Sequence, residues 1–404
     1  MGEKLKIAII GTGERGTCCF GEILKNRDDV EITALCDKNP VRYRAAARFL
    51  GLTDVKFYSS IEDMAKSEKL DAVIITTPDY THHQVAMTAL QNGWNVLIDK
   101  PLATTVKGCR EVIETAKKTG LTVMIGFNLR HHAVLKRLKQ LIVDGVLGKV
   151  FIAENREFYD GGRTYMSRWN RFYSATGGLW IHKGSHDFDI FNWLLDFPKP
   201  LRVTSFAAVN VLTPEGIPFE LEEGHEPGPG CNVCYYREKC KDRWILSDTE
   251  MERWGEEAIA QDGYIKNLCM YTSEKDTHDN GIAMVEYENG IKVSHFECFI
   301  GARADRTYTV VGDRAIADVS LAERTIKITP RWNGEVVTYT IPEESGGHGG
   351  ADPSLVDTFC KVLRGEVAPN STAEHGMLAS AIGQAAEISR REHRMVEIEE
   401  LFKD

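Results

Sequence analysis

Long apolar runs are missing from this sequence, since no stretch approaches the roughly 20 residues that a membrane-spanning helix needs. The start of the chain also lacks the apolar run and cleavage site of a signal peptide, because Lys6–Ile10 reads as a strand. Positive charge is scarce as well: 49 Lys and Arg face 59 Asp and Glu, for a formal net charge of −10. These absences argue against a membrane protein and against nucleic acid as the partner, although a local basic pocket for a nucleotide stays open. We expect a cytoplasmic protein.

The composition fits a globular protein with more than one domain. Hydrophobic residues make up 43% of the chain and charged residues 27%, as in soluble proteins. A chain of 404 residues is too long for one ordinary core, so two domains are expected. Ten cysteines would suggest disulfides in a small secreted domain. In a large intracellular chain they indicate reduced thiols or metal ligands.

The first 125 residues alternate short apolar strands with amphipathic helices. Strands are predicted at 6–10, 31–36, 71–76, 94–98 and 121–125. Helices are predicted near 16–26, 40–50, 81–92 and 104–118. This alternation predicts an α/β fold in which residues 1–125 form a doubly wound parallel sheet.

From about residue 149 strands follow one another with few helices between them. They are predicted at 149–159, 201–211, 281–287, 291–299, 305–311, 314–319, 324–329 and 335–341. Helices are predicted near 131–144, 353–364 and 372–392. The pattern predicts an α+β domain over 126–404 with a large, mostly antiparallel open sheet, one face of which could contact a partner subunit in a homo-oligomer. Residues 213–280, rich in Gly, Pro, Cys and Trp, read as a long insertion.

A glycine-rich turn follows the first predicted strand and opens the first predicted helix. Gly11 allows the tight turn, Gly13 lets the backbone approach a pyrophosphate, and Gly16 lets helix and strand pack closely. The first-turn N–H groups of the helix then face the phosphates. The turn therefore predicts a nicotinamide dinucleotide site with contacts from Gly11, Thr12, Gly13, Glu14, Arg15 and Gly16.

Other cofactor contacts are expected where later strands end. Asp37 closes the second strand, where an acid accepts hydrogen bonds from a ribose diol and repels the 2′-phosphate of NADP. NAD is therefore favoured, although Lys38 and Arg42 lie close enough to keep NADP open. The loops after the next two strands line the same crevice. They add Thr76, Thr77, Pro78, Asp79, His82, Asp99 and Lys100, with helix capping as the alternative for His82.

Lys100 is the first candidate catalytic residue, because it stands at the end of a strand that runs into this crevice. An ammonium group there can hydrogen-bond a substrate hydroxyl and steady the alkoxide that forms as hydride leaves the carbon. Pro101 follows directly and restricts Lys100 to extended geometry, which holds its side chain at the mouth of the strand.

A second cluster of chemically active side chains lies at 177–189. His182 and His186 share one face if this segment is helical, but a zinc-protease H-E-x-x-H motif is excluded because position 183 is Lys. Either histidine could act as the base that takes the hydroxyl proton. Asp189 could orient the ring of His186, while Asp187 is expected to be structural.

The order of GTGERG, Asp37, TTPDYTHH, DKP and GGLWIHKGSHDFD resembles the Gfo/Idh/MocA family over nearly the whole chain. The resemblance implies a Rossmann domain and a large open sheet, assembled into dimers or tetramers, and oxidation of a sugar or cyclitol hydroxyl with NAD(P). Lys100 matches the family lysine, which usually follows Glu. The family's Asp-x-x-x-His pair falls on His182 and His186, so its acid is replaced here. A cationic His182 or Lys183 would lower the pKa of His186 and could bind a carboxylate, keto or glycoside group.

Four cysteines in the insertion have a spacing that suits a metal. Cys231, Cys234, Cys240 and Cys269 could hold a tetrahedral structural Zn²⁺. The spacing does not match ferredoxin runs. Reduced thiols, an iron–sulfur cluster and disulfides remain as alternatives.

Further substrate contacts are predicted around the start of the second domain. Polar and aromatic side chains there suit hydrogen bonding to hydroxyls and stacking on a sugar face. The predicted contacts are Arg156, Tyr159, Arg163, Arg168, Trp169 and Lys183, and His348 could cap the pocket from a glycine-rich loop.

The motifs together predict an NAD(P)-dependent dehydrogenase that oxidises a hydroxyl of a sugar, sugar derivative, glycoside or cyclitol. An alternative is a redox-neutral glycoside hydrolase or lyase that oxidises a ring carbon transiently and returns the hydride. A third hypothesis, a non-catalytic nucleotide sensor, is disfavoured because Lys100 and His186 are both present.

Overall fold

The computed structural model describes residues 3–403 and contains two large sheets. The first has six parallel strands in the order β3-β2-β1-β4-β5-β6. They are β1 (Leu5–Ile10), β2 (Val30–Cys36), β3 (Lys56–Tyr58), β4 (Ala72–Ile75), β5 (Asn95–Ile98) and β6 (Val123–Ile125). The strand order reverses between β1 and β4, so a ligand crevice forms at the carboxyl ends of these strands. The predicted parallel sheet is confirmed.

Helices cover both faces of this sheet. A helical segment at Arg15–Gly21 continues into α1 (Glu22–Lys25), followed by α2 (Pro40–Leu50), α3 (Ile61–Ser67), α4 (Asp79–Gln91) and α5 (Val106–Thr119). Helix α2 begins where Asn39 accepts a hydrogen bond from the backbone of Val41, and it ends at Gly51 with a positive φ of 67°. The short β3 and α3 have no counterpart in the sequence prediction, because two of the three β3 residues are exposed.

The second sheet has nine strands in the order β14-β13-β12-β11-β7-β10-β9-β8-β15. They are β7 (Val150–Phe158), β8 (Pro200–Ala208), β9 (Asn280–Tyr287), β10 (Lys292–Cys298), β11 (Asp305–Gly312), β12 (Ala315–Ser320), β13 (Thr325–Pro330), β14 (Val337–Thr340) and β15 (Val396–Glu397). Strand β10 pairs in parallel with β7 and antiparallel with β9, and the other described pairings in this sheet are antiparallel. The predicted mostly antiparallel sheet is therefore confirmed.

Longer and shorter helices accompany this sheet. They are α6 (Ala133–Val143), α7 (Gly162–Tyr165), α8 (Tyr173–Thr176), α9 (Leu179–His182), α10 (Ser185–Leu194), α11 (Asp248–Trp254), α12 (Glu256–Asp262), α13 (Ala351–Leu363) and α14 (Ala373–Glu392). Single helical turns occur at Asn128–His131, Trp169–Arg171, Pro214–Gly216, Glu288–Gly290 and Ile398–Phe402. No helix among residues 3–403 is long and apolar enough to cross a membrane.

Helix α13 returns from the far end of the chain to the first sheet. Its buried Phe359 belongs to the same apolar cluster as Ile7 and Ile9 of β1. The division of the chain at residue 125 therefore stays a prediction, because a helix from the second region completes the core of the first.

One face of the nine-stranded sheet packs on helices, and the other carries exposed apolar side chains. On β7 the pleat turns Ala153 and Glu157 inward and turns Ile152 outward, where it is 43% exposed. Phe206 on β8 is 69% exposed and Met284 on β9 is 46% exposed. Such a face suits contact with a partner subunit, and the predicted homo-oligomer stays a prediction.

Candidate active site

The glycine turn after β1 accepts no side chains at its two ends. Gly11 has a positive φ of 93°, and a Cβ atom there would lie 2.7 Å from the backbone of Thr76. A Cβ atom on Gly16 would lie 2.0 Å from the carbonyl oxygen of Gly11. The Thr76 hydroxyl donates to that same carbonyl at 2.6 Å. The turn is thus held against the loop that follows β4, as a phosphate-binding turn requires.

Asp37 faces this turn from the end of β2. Its Oδ2 accepts hydrogen bonds from the backbone N–H of Thr12 at 2.9 Å and from the Thr12 hydroxyl at 3.0 Å. Its Oδ1 accepts from the N–H of Asn39 at 2.9 Å. The carboxylate therefore stands where the adenosine ribose of a dinucleotide would lie, and the residues present fit such a cofactor.

Arg15 joins the glycine turn to two buried acids. Its Nε lies 2.9 Å from Oδ2 of Asp99 and its Nη2 lies 3.3 Å from Oδ1 of Asp352. Burial raises the pKa of Asp99, but the charges of Arg15 and Lys100 outweigh burial, so the net pKa is lowered. Asp99 is therefore an anion that anchors the turn beside Lys100.

The loop after β4 is fastened to the loop after β5 by His82. This ring is only 1% exposed, and its nitrogens lie 2.7 Å from the carbonyl oxygen of Pro101 and 2.8 Å from that of Thr77. Thr77 also accepts a hydrogen bond from the Thr81 hydroxyl at 2.7 Å. His82 thus fixes the segment that carries Lys100, and its predicted contact with the cofactor stays a prediction.

Lys100 reaches from the end of β5 towards the second cluster. Its Nζ donates a hydrogen bond to the backbone carbonyl of His182, and the Lys100–Pro101 peptide bond is cis. Burial lowers the pKa of Lys100 to about 8, although the charges of Asp79 and Asp99 act in the opposite direction. The structure therefore brings Lys100 and the 177–189 segment together.

Both ring nitrogens of His182 are engaged. Nδ1 lies 2.7 Å from Oδ2 of Asp79, and Nε2 lies 3.2 Å from Nδ2 of Asn170. Because the Asn170 amide donates to Nε2, the proton sits on Nδ1 and is donated to Asp79. Burial raises the pKa of Asp79 to about 7. The sequence left His186 without an acidic partner, and the structure places an acid, Asp79 of α4, on His182 instead.

His186 differs from His182 because its Nδ1 is buried and has no hydrogen-bond partner among residues 3–403. Its ring packs edge-on against Phe127, with 6.4 Å between ring centroids. Burial lowers the pKa of His186 well below its usual range, and the charges of Lys100, Arg306 and Lys183 add to this effect. A neutral imidazole with a free nitrogen can accept a proton.

The expectation that Asp189 orients His186 is wrong. Both carboxylate oxygens of Asp189 pair with the buried guanidinium of Arg130, at 2.6 and 2.8 Å. Asp187 contacts Tyr308 and Arg306 instead of the crevice, as its predicted structural role requires.

Lys183 forms a charged wall of the site. Its Nζ lies 2.7 Å from Oε1 of Glu157 and 4.9 Å from the centre of the Tyr159 ring. Burial lowers its pKa, but the Glu157 carboxylate more than offsets this and the net pKa is raised. Lys183 therefore stays cationic at neutral pH.

The other predicted substrate contacts divide into two groups. Trp169 packs edge-on against His182, with 5.4 Å between ring centroids, and so belongs to the site. Arg156 does not, because the pleat of β7 turns it to the opposite face of the sheet, where it is 54% exposed and pairs with Glu154. Arg163 pairs with Asp160, and Arg168 stacks over Trp244 at 4.3 Å.

Sequence reasoning missed Asn170, Tyr165 and Glu157. A sequence signal for Glu157 exists, because it lies two residues after Asn155 and therefore on the same, buried face of β7. Tyr165 packs edge-on against His182 from α7, with 5.7 Å between centroids, and no local pattern marks it. His348 pairs with Asp352 at 2.6 Å, so its predicted capping role stays untested.

The four predicted metal ligands do line one cavity. Cys231, Cys234, Cys240 and Cys269 share a space of about 30 Å³ with Tyr236 and Tyr271. Within residues 3–403, however, no group of three or more His, Cys, Asp or Glu side chains is arranged to hold a metal ion. The donor atoms suit zinc, but their arrangement does not show a site, so zinc stays a prediction.

Metal analysis tests this prediction. Protein purified without chelators should contain about one zinc per chain by plasma mass spectrometry, and Cys234→Ser should lose it and lower the melting temperature. Cys298→Ser, outside the cavity, should retain the metal. Purified protein that contains no metal and is as stable to heat as the variant would contradict the zinc prediction. Stoichiometric iron in place of zinc would indicate an iron–sulfur cluster.

Two family models together match most of this chain. Residues 5–127 match the model of an oxidoreductase family with an NAD-binding Rossmann fold, and residues 139–398 match the C-terminal alpha/beta domain of the same family. The chain belongs to the Gfo/Idh/MocA oxidoreductase family. This confirms the resemblance found in the sequence.

Three relatives show how far the similarity extends. YteT of Bacillus subtilis is 28% identical over 98% of this chain and 98% of its own length. An inositol 2-dehydrogenase/D-chiro-inositol 3-dehydrogenase of Lactiplantibacillus plantarum is 28% identical over 52% of this chain and 56% of its own length. D-glucoside 3-dehydrogenase of Escherichia coli is 28% identical over 51% and 58%. The chain thus spans little more than half the length of the last two.

Solved structures agree on the fold. The WlbA dehydrogenase from Bordetella pertussis, in complex with NADH and UDP-GlcNAcA, superposes with a TM-score of 0.69. It is 18% identical, and the match covers 98% of this chain and 99% of that one. This likeness supports the two-sheet architecture alone.

Proposed function

We propose that the protein is an NAD-dependent dehydrogenase that oxidises a hydroxyl group of a sugar, sugar derivative, glycoside or cyclitol. The observation that carries the proposal is the meeting of Lys100 with the segment of His182 and His186 beside a dinucleotide turn. Relatives named as inositol and glucoside dehydrogenases support the class of substrate.

The roles of the side chains follow from their surroundings. Bound NAD supplies the hydride acceptor for the reaction. Lys100 donates a hydrogen bond to the substrate hydroxyl and stabilises the negative charge that develops on its oxygen. His186, whose lowered pKa leaves its imidazole neutral, accepts the hydroxyl proton. Asp79 and Asn170 hold His182, whose carbonyl in turn orients Lys100.

The walls of the site suit a polar, ring-shaped substrate. Trp169 and Tyr159 offer apolar faces on which a sugar ring can stack. Lys183, which lies over the Tyr159 ring and pairs with Glu157, adds a cation that can hydrogen-bond an anionic substituent such as a carboxylate. We therefore infer that uronic acids and other acidic sugars belong in any substrate panel.

A panel assay tests the proposal. Purified protein is mixed with excess NAD and with free sugars, inositols, sugar acids or aryl glycosides, while absorbance at 340 nm and substrate loss are followed together. NADH formed in step with substrate loss supports the dehydrogenase. Absence of both NADH formation and substrate loss with every compound, despite measurable NAD binding, would contradict it.

The second candidate function is redox-neutral cleavage of a glycoside. Oxidation, elimination and hydride return require a second proton-transferring group besides the one that serves the hydroxyl. The Asp79–His182 pair provides such a group, because burial raises the pKa of Asp79 to about 7. In the panel assay this candidate predicts glycoside loss without accumulation of NADH.

The pH dependence of kcat/KM should show the loss of the proton from the Lys100 ammonium group. Because burial lowers its pKa to about 8, the ammonium form is lost as pH rises through that value, and kcat/KM should fall above about pH 8. The lowered pKa of His186 leaves it neutral, so no matching loss is expected between about pH 6 and 7. A kcat/KM that rises through pH 8 would instead make neutral Lys100 the base.

A further inference from the structure

The insertion between β8 and β9 leaves its own sheet and packs on the dinucleotide-binding half of the chain. The Asn39 side chain, at the start of α2, donates to the carbonyl oxygen of Ala258 in α12 at 2.9 Å. Lys266 donates to Oε2 of Glu14 in the glycine turn at 2.7 Å. The Trp254 ring lies 3.9 Å from where a Cβ atom on Gly13 would stand. The insertion therefore borders the region predicted to bind the adenosine half of the cofactor.

The insertion contacts the Arg42 side chain through both hydrogen bonds and ring stacking. Its Nη1 lies 2.6 Å from Oδ2 of Asp262 and its Nη2 lies 3.1 Å from Oδ1, so the pair is bidentate. The guanidinium also stacks on Trp254 at 4.6 Å and on Tyr264 at 5.4 Å. Arg42 is 6% exposed as a result.

The position of Arg42 means that its pairing with Asp262 affects whether the protein can bind NADP. Arg42 lies in the first turn of α2, shortly after Asp37, where an arginine in this fold accommodates the 2′-phosphate of NADP. Here both of its terminal nitrogens are committed to Asp262. To bind NADP through Arg42, the chain would have to leave the mostly buried Asp262 carboxylate, which is 12% exposed, without its partner, and this is unfavourable.

We propose that Asp262, supplied by the insertion, is a specificity-determining residue that withholds Arg42 from a 2′-phosphate and so selects NAD over NADP. The inference rests on the proposed function only in requiring that a nicotinamide dinucleotide binds. It assigns to the insertion a role in recognising the cofactor that is separate from any metal held by its cysteines.

Equilibrium binding of NADH and NADPH to the full chain tests the proposal, with energy transfer from tryptophan to the reduced nicotinamide as the readout. In Asp262→Asn the freed guanidinium should tighten NADPH binding about ten- to a hundredfold, the value of a charged hydrogen bond, while the Kd for NADH changes less than about threefold. The double variant Asp262→Asn/Arg42→Ala should lose the gain. Glu252→Gln, which breaks an exposed pair with Arg48, is the matched control and should leave both Kd values unchanged.

Two outcomes would overturn the proposal. One is NADPH binding in Asp262→Asn that stays as weak as in the parent protein. The other, accessible even if that variant fails to fold, is Arg42→Ala in the parent chain: the proposal predicts an NADPH Kd within about threefold of the parent, and a tenfold weakening would show that Arg42 already serves the phosphate. Failure of the parent protein to bind either dinucleotide would contradict the proposed function instead.

Discussion

Replacing Lys100 by Met should lower kcat/KM by a factor of about 10² to 10⁴ while leaving the Kd for NADH unchanged within about threefold. Methionine fills a similar volume but carries no ammonium group, so the developing charge on the substrate oxygen loses its stabilising donor. The hydrogen bond to the carbonyl of His182 is lost as well. Steady-state kinetics on the substrate found in the panel, together with dinucleotide binding, measure both quantities.

Measuring activity and NADH binding together distinguishes a catalytic role of Lys100 from that of a nucleotide sensor without catalysis. Lys66→Met, at an exposed lysine that pairs with Asp63 on α3, is the matched control and should retain full activity. If Lys100→Met kept the parent kcat/KM, Lys100 would have no role in the chemistry. If it lost NADH binding together with activity, the lysine would belong to the cofactor site alone.

Replacing His186 by Asn should also lower kcat by about 10² to 10⁴, because the neutral imidazole proposed to accept the proton would be gone. His182→Asn should lower kcat less, since the backbone carbonyl at position 182 still accepts the hydrogen bond from Lys100. The comparison of the two variants at the same pH measures which histidine takes the proton. A larger loss in His182→Asn than in His186→Asn would transfer the role of base to His182 and its partner Asp79.

Local patterns predicted the elements that carry the site. The run of apolar residues before Gly11 predicted β1, and the acid at the end of the second strand is the Asp37 that now faces Thr12. The nine-stranded sheet follows the predicted strands closely, because alternation of inward and outward side chains is a property of each strand by itself. The apolar run of β5 likewise predicts that Lys100 follows the end of that strand.

The misplacements arise where the partner of a side chain is distant in sequence. Asp79 and His182 are separated by 103 positions, and Arg42 and Asp262 by 220, so no local pattern could pair them. Arg156 suits a substrate contact by residue type, but its neighbour Glu157 faces the site, because successive residues of a strand point to opposite faces of the sheet. The two insertion helices were hidden by the irregular composition around them.

The most direct test of the central claim follows the hydrogen itself. The substrate identified in the panel is labelled with deuterium on the carbon of the oxidised hydroxyl, and one turnover is run with NAD and stopped for mass spectrometry of the dinucleotide. The account predicts reduced dinucleotide that carries one deuterium, and none when the label is placed on a neighbouring carbon. Product formed with no deuterium in the dinucleotide would contradict hydride transfer from that carbon and, with it, the proposed dehydrogenase.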